Sequence, residues 1–146
     1  MRTKLLAIAL LITTTLFSQN SDKKLLFVQE GGIPEVYYYE ETFKTQGSKI
    51  YVWISTEYHV QLQDSLSADI VDPELGIMYN AIKEYCIYDI SKNKYTSLLK
   101  KYISDNGVIV KTIKQEEAIA EWEYIEPETE QQYILKRLIQ IKNDLQ

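Results

Sequence analysis

The stretch PETEQQYILKRLIQIK, residues 127–142, decides how the rest of the chain is read. Pro127 has no backbone N–H and disfavours helix in the residue before it, so a helix here begins after it. Thr129 followed three places later by Gln132 fits a capping box. Glu126, Glu128 and Glu130 gather at the amino end, while Lys136, Arg137 and Lys142 lie further on. That order complements the helix dipole. Ile134, Leu138, Ile141 and Leu145 recur at helical spacing, with Leu135 beside them. The spacing predicts one amphipathic helix whose apolar stripe must cover something else.

What it covers is a sheet. Residues 50–58, IYVWISTEY, are rich in β-branched and aromatic side chains, which suits a central strand. Residues 25–29, 36–39, 80–90, 94–103 and 108–113 read as further strands, although Ser97 to Lys101 would also fit a helical turn. Gly31, Gly32 and Pro34 break the chain after the first strand, and Gln46-Gly47-Ser48 marks a turn. Asp105-Asn106-Gly107 is a strong hairpin signal, because Asn-Gly tolerates positive φ. Residues 59–76 are polar and read as a long connection. The expected fold is α+β: an antiparallel sheet of about five to six strands, ending in a meander, packed against a C-terminal amphipathic helix.

The amino end carries a different signal. Arg2 and Lys4 precede an apolar run from Leu5 to Phe17, which stops at Ser18, Gln19 and Asn20. Spanning a bilayer takes roughly 20 apolar residues. A shorter run behind a basic tip reads as a secretory signal peptide, residues 1–18. Residues 19–146 then form a single domain. Removing Arg2 and Lys4 takes the formal net charge from −5 to −7. So acidic a chain repels a phosphate backbone, so nucleic acid is not the expected partner. No second run is long enough to span a bilayer, and no Cys stands near the cut to take a lipid anchor. The expected location is periplasmic or extracellular.

Residues that could carry chemistry are sparse. His59 is the one histidine and Cys86 the one cysteine. Zinc sites want several such ligands. No G-x-S-x-G elbow and no Gly-rich phosphate loop occur. Asp64, Asp69 and Asp72 do not keep calcium-loop spacing and read as a solvated acidic loop. No metal or cofactor is expected, and the chain reads as a non-enzyme. Carboxylates meeting His59 in space would revive an enzyme. Twelve Tyr against three Phe suit half-buried sheet faces or a Tyr-lined binding surface.

Three stretches carry a family resemblance. Residues 36–58 hold Tyr38, Gly47, Val52 and Trp53. Residues 84–107 hold Cys86, Lys94-Tyr95, Tyr102 and Gly107. Residues 122–139 hold Trp122, Ile125 and Pro127 in a Trp-x-x-Ile-x-Pro approach to the last helix. In this order the chain resembles the surface-adhesin protein E family, small exported bacterial domains. The resemblance implies the sheet-and-helix fold already read. It implies structural roles for Trp53, Cys86, Trp122 and Pro127. In that family a strand Cys bridges to a Cys in the last helix, at the place filled here by Ile139. Cys86 then looks like half of an absent bridge, buried under the helix near Ile139.

The functional expectation is an exported binding module for a protein or surface ligand, with Tyr37, Tyr38 and Tyr39 as contacts. An edge strand could also pair with a partner or with a second copy as a homodimer. The alternative is a periplasmic accessory or inhibitor-type protein that binds an envelope enzyme or toxin. Cell fractionation separates the two, since a strictly periplasmic pool argues against adhesion.

Overall fold

The computed structural model describes residues 22–29, 34–58 and 70–146. The signal-like run, His59, Asp64 and Asp69 lie outside the described residues, as do Gly31 and Gly32. Among these described residues ten strands and one α-helix follow in chain order: β1 Lys23–Val28, β2 Glu35–Tyr39, β3 Lys44–Gln46, β4 Lys49–Glu57, β5 Ile70–Asp72, β6 Ile77–Tyr79, β7 Ala81–Asp89, β8 Lys94–Ile103, β9 Ile109–Lys114, β10 Glu123–Tyr124 and α1 Glu130–Asp144. The antiparallel sheet runs β1-β2-β4-β7-β8-β10, with β3 also on β4 and β9 also on β8. The fold is α+β, as the residue pattern predicts.

The differences lie in short pieces. β3 and β10 carry no signal in the residue pattern, and among the described residues the sheet holds eight strands rather than the expected five to six. The expected long connection, residues 59–76, contains β5, which forms a small separate hairpin with β6 just beyond it. Its turn is held by Asp72, whose Oδ1 accepts from the N–H groups of Glu74 and Leu75 at 3.0 and 2.9 Å. That short-range capping is what an Asp at a turn offers. Residues 97–101 are strand throughout.

β4 and β7 form the central pair, nine residues long, with Val52 opposite Cys86 and Ile50 opposite Tyr88. Successive side chains of a strand point to opposite faces. One face, with Val36, Tyr38, Ile50, Val52, Ile54, Cys86 and Tyr88, packs under Ile134, Leu135 and Leu138 of α1 to make the core. Each fully buried side chain of this kind contributes about 1.5–3 kcal/mol. Thr129 caps α1, its side chain accepting from Gln132 N–H. Gln132 Oε1 accepts in return from Glu128 N–H at 3.0 Å, one residue earlier than a standard capping box. Pro127 stands two residues before the cap, outside the helix, and is exposed.

Cys86 is a free, buried thiol in this core, 2% exposed. Ile139 is half-buried and packs against the same cluster. Burial pushes the Cys86 thiol well above its ordinary value. Attack needs the thiolate. A thiol reagent should therefore label the native chain only as fast as it unfolds. Rapid stoichiometric labelling in native buffer would show that Cys86 is not enclosed.

Asp89 ties two turns together. Its Oδ1 accepts from Ser48 Oγ at 3.0 Å, Ser91 Oγ at 2.7 Å and Ser91 N–H at 3.1 Å. Burial opposes ionisation of Asp89, but these bonds outweigh it, and the carboxyl sits below its ordinary value. A lowered folded value means stability that is present above the unfolded value and lost as pH falls through the folded one. In an acid titration below about pH 4, Asp89→Asn should flatten the fall in urea midpoint. An unchanged acid limb would remove Asp89 as a contributor.

Candidate functional site

The face of the sheet away from α1 is built in transverse rows. Tyr37, Ser55, Lys83, Lys101 and Thr112 stand opposite one another across β2, β4, β7, β8 and β9. The next row holds Trp53, Tyr85, Leu99 and Lys114. Strand alternation places all of these on the helix-free side.

Part of this face is covered by the chain itself. The segment between β9 and β10 folds back over it. Tyr51 OH donates to Glu117 Oε1 at 3.1 Å, and Lys49 Nζ lies 3.5 Å from the same oxygen. Lys49 also sits 5.4 Å from the ring centre of Trp122. Thr96, buried on this face, donates to the Glu121 carbonyl at 2.6 Å and accepts from Gln115 Nε2 at 3.0 Å. Trp122 therefore helps to seal one end. At the other end Ser55 and Glu57 are buried. Glu57 takes an ion pair from Lys23 and a hydrogen bond from Ser55 Oγ at 3.2 Å.

Between these ends lies a half-exposed aromatic patch. Trp53 and Tyr85 meet at 5.6 Å between ring centres, tilted by 37°. Lys101 stands 5.6 Å over Trp53, Lys83 stands 5.4 Å over Tyr39, and Lys23 stands 4.3 Å over Tyr37. Such cation–π contacts are each worth about 0.5–1 kcal/mol at exposed sites. Tyr37 OH donates to Glu35 at 2.6 Å, and that bond with burial raises its phenol to about 12. Burial, with the Glu117 charge nearby, also raises Tyr85. Both phenols thus stay protonated at neutral pH, and Tyr37 serves as a donor.

The expected contact residues divide by strand alternation. Tyr37 and Tyr39 belong to the helix-free face, with Tyr39 largely covered at 9% exposure. Tyr38 points the other way, into the core beneath α1, and meets Phe43 edge-on at 6.4 Å. It offers no surface. Trp53, expected as a structural residue, lies outside the helix-side core and forms the centre of the patch. Lys83, Tyr85 and Lys101 join the patch although none belongs to the expected contact residues. The alternation of Lys83 and Tyr85 against Cys86 was a readable sign, because residues flanking a core position face away from it. Among the described residues no cluster of His, Cys, Asp and Glu could hold a metal ion. No helix among them is long and apolar enough to cross a membrane.

No known family profile matches the chain, and no curated protein matches it either. Among solved structures, the chain is similar to the crystal structure of protein E from non-typeable Haemophilus influenzae, at 12% sequence identity and a TM-score of 0.43. The alignment covers 84% of this chain and 83% of that one. The likeness to protein E is a distant structural resemblance.

Proposed function

We propose that this chain is an exported, non-enzymatic binding module that engages a protein or surface ligand through the helix-free face of its sheet. The observation that supports this most is the Trp53–Tyr85 patch between two covered ends. Trp and Tyr at the centre of a surface, with a polar rim, are the residue types that dominate binding energy. A sheet face whose only task was to meet water would carry small polar or charged groups instead. Trp53, Tyr85, Leu99 and Tyr37 keep apolar area there that folding alone leaves half uncovered.

The test is binding of the purified chain to laminin, vitronectin and plasminogen at physiological salt, extracellular-matrix and plasma proteins of the kind bound by the adhesin for which the resembling family is named. Saturable binding that falls by at least about tenfold in Trp53→Ala or Tyr85→Ala supports the face. Tyr38→Phe, altered on the core side, should bind as the parent does. Binding that is indifferent to Trp53 and Tyr85 would place the contact elsewhere.

A further inference from the structure

Two lysines face each other at the heart of the patch. Lys83 of β7 and Lys101 of β8 are direct cross-strand partners on the helix-free side. Like charges directly opposite destabilise a sheet. Four other lysines reach acids, Lys23 with Glu57, Lys24 with Glu40, Lys49 with Glu117 and Lys100 with Glu84. Among the described residues neither Lys83 nor Lys101 has a carboxylate at ion-pair distance. Each is held over an aromatic ring instead. In a chain of net charge −5, the described residues thus set two like charges side by side on one face without an ion-pair partner.

The surroundings narrow what would neutralise it. Glu35 and Glu57 stand opposite each other in the adjoining row, and Glu117 borders the other side. A polyanion such as a nucleic acid would meet these acids as well as the two lysines. The arrangement suits one localised negative group on an otherwise neutral, hydroxyl-rich ligand. Its hydroxyls would donate to Glu35 and Glu117, the rim carboxylates that keep exposure. The backbone here is already paired on both sides, since β4, β7 and β8 are interior strands. An extended peptide that recognises a sheet through main-chain bonds needs an edge, and this site has none. The tilted Trp53–Tyr85 floor instead suits the C–H-bearing face of a sugar ring.

The geometry points to an acidic carbohydrate as the ligand of this patch: a carboxylate-bearing sugar whose ring lies on Trp53 and Tyr85 and whose acid group sits between Lys83 and Lys101. The inference rests on the helix-free face being the binding face, and it names the ligand class. Charge-assisted hydrogen bonds from two ammonium groups to one carboxylate are the strong kind.

The test titrates the full chain with sialyllactose, with neutral lactose and with a glutamate-rich peptide, followed by tryptophan fluorescence and amide NMR. Sialyllactose should shift the resonances of Trp53 and Tyr85, and lactose should bind at least about tenfold more weakly. In Lys83→Gln/Lys101→Gln that preference should vanish while the amide spectrum stays that of a folded chain. The affinity for sialyllactose should also fall as salt is raised. Equal response to sialyllactose and lactose, or a preference that survives in the double variant, would overturn the lysine clamp. Binding of the acidic peptide alone at the same residues would overturn the carbohydrate but keep the face. No shift at Trp53 or Tyr85 with any probe, alongside a matrix-protein interaction that ignores Trp53→Ala, would overturn both readings.

Discussion

Leu138→Ala should cost the fold about 2–5 kcal/mol. Leu138 is fully buried, 0% exposed, in the third turn of α1. It sits among Ile134, Leu135, Val52 and Cys86, the side chains that join helix to sheet. Removing it deletes transfer energy and leaves a cavity that a closely packed sheet relaxes around only partly. A domain of this size is stable by about 5–15 kcal/mol, so the loss is a large share. Urea unfolding should show a lower midpoint with an unchanged slope. Leu145→Ala, at a side chain 62% exposed just past the helix, should change little. A loss at Leu138 no larger than that at Leu145 would mean that α1 does not close the core.

Ile139→Cys should act in the opposite direction. Cys86 and Ile139 belong to the same packed region, and the sequence resemblance assigns a bridge to these two places. Oxidation would close a loop from 86 through 139. The chain-entropy estimate for a loop of that length is about 4 kcal/mol. Ile139 is half-buried, so exchanging it costs less than emptying a Leu138 site. The measurement is the thermal midpoint with and without reductant, together with a free-thiol count on the denatured chain. One bridge per chain and a midpoint that drops on reduction is the expected result. Two free thiols after mild oxidation would show that the Cα positions or Cβ directions do not meet disulfide geometry.

The helix and the long strands were legible because their signals are long. Fifteen residues of α1 carry a cap, a dipole pattern and a stripe that agree with one another. The two-residue β10 and three-residue β3 carry no periodicity to read. They exist because Tyr124 and Lys94, or Lys44 and Tyr51, are brought opposite each other by the rest of the sheet. The site was less legible for a sharper reason. The register of β7 on β8 slips between Tyr85 and Cys86, where Cys86 faces Ser97 but Tyr85 faces Leu99. Leu98 is the extra residue of that bulge. With strict alternation from Tyr95, Lys101 would point under the helix and Lys100 away from it. The bulge exchanges them. Lys100 reaches Glu84 at 3.0 Å on the helix side, and Lys101 joins Lys83 on the open side. A one-residue slip that moves every later side chain to the other face is invisible to pattern counting. The Tyr37–Tyr39 trio shows the converse: alternation alone separates Tyr38 from its neighbours, whatever the register.

β9 has a consequence for how the chain behaves when concentrated. It pairs with β8 along one side, and Val108, Ile109, Val110 and Ile113 are exposed at or beside it. Lys111 and Lys114 are the charges within that strand. An outer strand of this composition is a template for adding another chain, and lysines are what hold such templates apart. Colloidal stability is then governed by ionic strength. Salt that screens Lys111 and Lys114 should promote edge-to-edge pairing of chains, visible as a rising diffusion-derived radius, at concentrations where the same chain in dilute buffer stays dispersed.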